Sequence, residues 1–246
     1  VFTENNRGVR ARDVGRRAFI EACLSLSHEV EHQFEQFWKR LGLSVDWRLR
    51  YSTIDERSRR VSQSAFLQLH STGAAYRQVA PTLWCTNCRT GVAQAEIDDK
   101  AGIPSQFTTI AFALDDGREI QIATTRPELL AACVAVFVNP GDSRFRHLIG
   151  THATTPIFGA RVPILADTHA DPDKGTGAVM CCTFGDVTDL GWWRDHALPL
   201  KIAITPEGRL NELAGPYEGL TLKQARARIL EDLSAAGLVR AQQAVE

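Results

Sequence analysis

No stretch of this sequence approaches the ~20 consecutive apolar residues that a membrane-spanning helix needs. Its first residues, VFTENNRGVRARD, also lack the basic-then-apolar pattern of a secretory leader. A cytoplasmic protein is therefore expected, and because the chain begins at Val1 it reads as a piece of a longer one. Charge of one sign is missing as well. With 28 lysines and arginines against 29 aspartates and glutamates the net charge is −1, so there is no overall pull toward nucleic acid, and an RNA-facing surface must come from local segregation of charge. A disulfide framework is also absent: Cys23, Cys85, Cys88, Cys133, Cys181 and Cys182 are spread irregularly, which fits reduced thiols with one candidate metal pair. Repeats and low-complexity tracts do not occur.

What is present is an ordinary folded composition, 44 % hydrophobic and 23 % charged, enough for one large core or two small ones. The first sixty residues lean basic, with Arg7, Arg10, Arg12, Arg16 and Arg17 in one cluster and Arg48, Arg50, Arg57, Arg59 and Arg60 in another. A solvated helical face and an RNA-contacting surface explain them equally well.

The front third reads as helical. From about Asp13 to Arg40, Phe19, Ala22, Cys23, Leu26, Val30, Phe34, Phe37 and Trp38 recur at three- and four-residue intervals before Gly42, and a second amphipathic helix is predicted from Ser58 to Thr72 ahead of Gly73. After Ala95 the pattern changes. QFTTIAFAL, DGREIQIATT, CVAVFVNP and RVPILAD are short β-branched or aromatic runs bounded by Gly, Pro and Asp, as strands are, and VMCC reads as a buried strand. Two helices interrupt them, Val187–His196 and Leu222–Ala236, the latter between a capping Thr221 and Gly237. The polar stretch AEIDDKAGIPSQ reads as a linker, dividing residues 1–95 from residues 96–246.

Three clusters could carry chemistry. ATTRPE, residues 123–128, follows a strand, and Pro127 ends any helix through Arg126 while allowing one to start after it. Thr124, Thr125 and Arg126 thus stand at a strand end, where two hydroxyls and a planar guanidinium suit a ligand with a hydroxylated sugar and a phosphate. A strand end with a surface ion pair would use the same residues. In GTGAVMCCTFGDVTDLGWWRDH, a buried strand leads through Thr183-Phe184-Gly185 to a helix starting near Asp186. Asp186 and Asp189 then share one side of the first turn, placed to hold an ammonium or accept a hydroxyl proton, although capping and the helix dipole also account for such residues. Cys85 and Cys88 form a C-x₂-C knuckle, half of a tetrahedral zinc site. A nucleophilic Cys181 or Cys182 with His196 as base is disfavoured, since no activating cation neighbours these strand thiols.

The segments SVDWRLRYSTIDERSRRVSQSAFLQL, APTLWCTNCRTGVAQAEID, ATTRPELLAACVAVFVNP, VPILAD and GTGAVMCCTFGDVTDLGWW resemble, in order, successive blocks of the valyl-tRNA synthetases. The resemblance implies a mixed α/β chain: a β-barrel-like editing domain with peripheral helices in residues 96–246, preceded by a mostly helical part of the synthetase body in residues 1–95. The implied activity is hydrolysis of the ester of mischarged threonyl-tRNA(Val), with a monomeric protein and the tRNA acceptor end as partner, and with no cofactor needed for that step. Neither the HIGH-type nor the KMSKS-type ATP signature of such synthetases occurs in the sequence, so synthesis is not expected of these residues. Zinc would belong to the full-length enzyme, with the companion cysteine pair beyond Glu246.

By the same resemblance Thr124, Thr125 and Arg126 look like the loop around the terminal adenosine and the scissile ester, and Asp189 like the aspartate that anchors the amino acid. Asp186 would support it, and Phe184 would pack on the adenine or wall the pocket. Met180 is placed at the substrate as well, with a departure: many bacterial members carry a lysine there, a threonine at Cys182, Pro-Ala-His at residues 183–185 and a threonine at Leu129. The sequence looks like the archaeal-type variant, whose pocket positions substrate with fewer charges.

Overall fold

Two long helices stand where the three- and four-residue spacing predicts them, preceded by two short ones that it does not mark. The computed structural model describes residues 2–98, 105–183 and 185–245, beginning with α1 (Phe2–Arg7), α2 (Ala11–Val14), α3 (Arg16–Arg40) and α4 (Glu56–Ser71). The single helix expected from Asp13 is broken at Gly15, whose φ of 80° and ψ of 161° are open to glycine alone. Helix α4 starts two residues earlier than predicted because Asp55 caps it, accepting a hydrogen bond from the Ser58 N–H at 2.7 Å.

Contacts divide the chain into Val1–Ala80 and Pro81–Glu246. Among the described residues of the first unit Leu26 alone is buried, while Phe34, Phe37, Trp38, Val61, Phe66 and Leu69 are exposed. The second unit starts upstream of the expected change at residues 95 and 96, for a physical reason. The knuckle hairpin, β1 (Trp84–Cys85) against β2 (Thr90–Gly91), docks on a later loop: the Trp84 indole donates to the Pro206 carbonyl at 2.9 Å and Arg89 pairs with Glu207. Half of the linker, residues 99–104, lies outside the described residues.

One sheet organises the second unit. It contains β3 (Ser105–Leu114), β4 (Glu119–Thr124), β5 (Cys133–Val138), β6 (His152–Thr154), β7 (Arg161–Ala166), β8 (Ala178–Cys182) and β9 (Val239–Val245). The order is β4-β3-β6-β7-β5-β8, with β9 also on β3 and β5–β7 the parallel pair. The end strands β4 and β8 are not paired, yet the loop entering β8 crosses β4 so closely that a Cβ on Gly175 would lie 2.8 Å from the Ala123 Cβ. This is the nearly closed, barrel-like sheet that was expected.

Helices α5 (Val187–Asp195) and α6 (Leu222–Ala235) complete the unit. The main core joins Ile110, Phe112, Ile120, Ile122, Val136 and Ile164 of the sheet to Ala225, Ile229 and Leu233 of α6. A second cluster sets Val134, Phe137 and Cys181 against Trp192 of α5, with Phe137 and Trp192 stacked at 4.3 Å. Strand β5 feeds both clusters, which explains why CVAVFV is apolar throughout and does not alternate. Among the described residues no helix is long and apolar enough to cross a membrane.

Candidate active site

Strand β4 ends at Thr124, a buried threonine whose hydroxyl accepts from the Arg126 N–H at 3.0 Å and so sets the turn. Thr125 is half-buried beside it. Arg126 has φ −129° and ψ 63°, as the residue before Pro127 must avoid the helical region, and a short 3₁₀ helix follows over Pro127–Ala132 with every residue buried.

The guanidinium of Arg126 reaches across 59 positions of sequence, and its Nη1 donates to the Gly185 carbonyl at 2.9 Å. That bond joins the turn after β4 to the turn that opens α5. Gly185 lies in the turn between β8 and α5, its N–H donating to the Cys182 carbonyl at 2.8 Å. A Cβ at this position would stand 2.1 Å from Asp189 Oδ2, so the carboxylate rests directly on the glycine backbone. One peptide turn therefore meets the Arg126 cation at its carbonyl and the Asp189 carboxyl at its Cα.

The two aspartates have separate parts. Asp186 is exposed and caps α5, its Oδ1 accepting from the Asp189 N–H at 2.8 Å. Asp189 is 7 % exposed. Burial first, and then the charge of Asp186, push its carboxyl up to about 7, while the Cys181 thiol and the backbone of Cys182 and Asp186 act the other way. A carboxyl titrating near neutrality in a polar turn can accept from an ammonium or a hydroxyl, and it can also donate when protonated.

Sequence reasoning missed Glu128 and Arg226. The Glu128 carboxylate is fully buried and accepts a two-pronged hydrogen bond from Arg226 of α6, Nε to Oε2 at 2.9 Å and Nη2 to Oε1 at 2.8 Å. Arg126 Nε lies farther off, 3.4 Å from the same Oε1. The available signal was a glutamate inside the apolar run PELLAA, which demands a cation. Nothing local says which one, since Arg226 lies 98 residues on.

Met180 and Leu129 lie in the main core, Met180 opposite Val136 on β5. Phe184 is outside the described residues. The nucleophilic alternative fails on charge. Burial leads in raising the Cys181 thiol, and the contact with Cys133 leads for Cys182, so both stay neutral. His196 is engaged elsewhere, with its Nε2 3.1 Å from Asp167 Oδ2.

At the knuckle the Cys88 N–H donates to Cys85 Sγ at 3.3 Å, and this bond, followed by that from Asn87, lowers the Cys85 pKa. Backbone donors aimed at sulfur favour a thiolate, the form that ligates zinc. The pair supplies two of the four donors of a tetrahedral site, and among the described residues no group of three or more candidate ligands is gathered.

The family model for the tRNA synthetases of class I (I, L, M and V) matches residues 3–162. The chain is 51 % identical over 214 residues to a valine–tRNA ligase of Thermobifida fusca, which covers 87 % of the chain and 24 % of that relative. It is 46 % identical over 248 residues to the valine–tRNA ligase of Rickettsia prowazekii, covering 99 % and 30 % respectively. Among solved structures, the ternary complex of an Agrobacterium radiobacter K84 LeuRS with tRNA and LeuAMS aligns over 98 % of the chain and 38 % of that protein, with 17 % identity and a TM-score of 0.47. The chain thus spans under a third of the length of the two ligases it matches.

Proposed function

Because the chain belongs to the class I tRNA synthetases of the I, L, M and V group, we propose that its second unit hydrolyses the ester of tRNA(Val) wrongly charged with threonine. The observation that carries this reading is the buried Asp189 carboxyl resting on the Gly185 turn that Arg126 also grips.

The chemistry follows from what valine and threonine share. They are nearly the same shape, so an apolar synthetic pocket rejects threonine by only about 10²-fold, and a second site must tell them apart by the hydroxyl. Asp189 accepts a hydrogen bond from that hydroxyl or from the substrate ammonium; valine's methyl would leave the buried carboxyl unpaired, which costs about 1–3 kcal/mol or more. Thr124 and Thr125 stand at the ester beside Arg126, which faces the terminal adenosine and its phosphate. The ester is already activated, so fixing its carbonyl and a water suffices and no protein nucleophile is required. The half-site at Cys85 and Cys88 would hold zinc together with two donors from elsewhere in a longer protein, in a structural role away from this reaction.

The test is deacylation of threonyl-tRNA(Val) by the full chain. Asp189→Ala is expected to abolish it while the chain stays folded by circular dichroism, and an unchanged rate would remove Asp189 from the site. Arg126→Ala should mainly weaken tRNA binding, raising KM and flattening its dependence on salt with kcat nearly kept. Tight tRNA binding without any hydrolysis by the wild-type chain would favour a non-catalytic binding module instead.

A further inference from the structure

A buried ion pair seldom earns its place through stability alone, because desolvating two charges offsets most of their attraction. The fully buried Glu128 carboxylate, between two arginines from elements far apart in sequence, therefore asks for another explanation. Its surroundings supply one. Arg226 occupies both carboxylate oxygens with a fork and holds Glu128 in a single orientation. Arg126 is then left with one long contact to Oε1 and one good bond to the Gly185 carbonyl, which leaves its guanidinium partly open at 37 % exposure. Two cations against one anion leave a single positive charge in excess; Arg226, at 44 % exposure, commits both Nε and Nη2 to Glu128, whereas Arg126 has an Nη2 bonded to neither Glu128 nor Gly185 and free to meet an anion.

We propose that Glu128 and Arg226 are positioning residues for the hydrolytic site. The Arg226 fork fixes Glu128, Glu128 together with the Gly185 carbonyl fixes the Arg126 guanidinium, and Arg126 ties the turn after β4 to the turn on which Asp189 rests. Helix α6 thereby sets the geometry of the anion-binding edge of the site through Glu128. This rests on the hydrolytic reading above.

A double-mutant cycle in the full chain tests it, using Arg226→Gln, Arg126→Gln and the pair. Three quantities are read well below the melting temperature: kcat/KM on threonyl-tRNA(Val), Kd for uncharged tRNA(Val), and the melting temperature itself. Arg226→Gln is expected to lower kcat/KM about tenfold in the wild-type background and less than about twofold in the Arg126→Gln background, since coupled residues are not additive. Arg226→Lys keeps the charge but loses the fork, and should recover less than half of the loss. Glu128→Gln, which releases both arginines, should match the double variant. Equal losses in both backgrounds overturn the proposal, as does a lowered melting temperature with kcat/KM unchanged. If the wild-type chain cleaves no ester, the hydrolytic reading falls separately. The positioning proposal is then decided by the same cycle in Kd: coupling supports it, and additivity or the absence of any tRNA affinity overturns it.

Discussion

Helices α3 and α6 obey the same apolar spacing and meet opposite fates. On α6, Ala225, Ile229 and Leu233 are fully buried against the barrel. On α3, Phe34, Phe37 and Trp38 stay exposed and Leu26 alone is covered. Amphipathic spacing announces a face that seeks cover and says nothing of whether the chain provides it. Residues 81–246 supply a sheet to pack on; residues 1–80 offer helices without a shared core.

Separating the units is the strongest way to break this contrast. Residues 81–246 are expected to unfold in one cooperative calorimetric transition. Residues 1–80 are expected to show none, because a single buried side chain cannot offset backbone entropy of about 1–2 kcal/mol per residue. A sharp heat-absorption peak from residues 1–80 alone would end the distinction.

Next in size come matched truncations. Phe137→Ala removes a ring stacked on Trp192 in the second core and should cost about 3–5 kcal/mol in denaturant unfolding. Phe34→Ala, on the exposed face of α3, should stay within about 0.5 kcal/mol. Similar costs at the two positions would mean that α3 is covered after all.

Asp189 sharpens the comparison from the side of function, since a well-packed unit here holds a carboxyl that packing disfavours. Its folded pKa is raised to about 7, so the stability of its neutral form is fully present below about pH 4, the unfolded value, and is lost as pH rises through about 7. Asp189→Asn should accordingly leave unfolding at pH 4 unchanged and stabilise the second unit at pH 9 by on the order of 4 kcal/mol. In the wild-type chain, hydrolysis that depends on the ionised carboxyl should rise through an apparent pKa near about 7. A flat stability difference between pH 4 and 9 would show that the carboxyl is solvated.

The smallest expected effects are at the caps. Thr221 caps α6 inside the packed unit and Asp55 caps α4 in the open one, each through a backbone N–H three residues on. Thr221→Ala should lower the global transition of the second unit by about 1 kcal/mol. Asp55→Ala should reduce helical circular dichroism and leave that transition where it is. A shift of the second unit's midpoint by Asp55→Ala would show that the two units unfold together.

Much of this architecture was legible beforehand. Helices α3 to α6 and strands β3, β4, β5, β7 and β8 fall where spacing, β-branched runs and Gly, Pro and Asp punctuation put them. Strands β6 and β9 did not declare themselves. The first is three residues long, and the second, VRAQQAV, is exposed along most of its length and held on β3 by backbone pairing, so no alternation of burial marks it. In the site, Arg126 and Asp189 could be singled out because each sits in a local cluster whose chemistry is readable.

By itself, then, the sequence determined the elements, their caps and turns, and the residue types able to meet a charged, hydroxylated substrate, because those depend on neighbours within one or two turns of chain. Only the tertiary structure decided that the knuckle docks at Pro206, that Arg126 crosses to Gly185, that Asp189 is buried with its carboxyl raised, and that Arg226 fixes Glu128. Each of these joins groups far apart in sequence or sets how deeply a group is buried. Burial and partnership are properties of shared space, which the order of residues encodes only once the chain has folded.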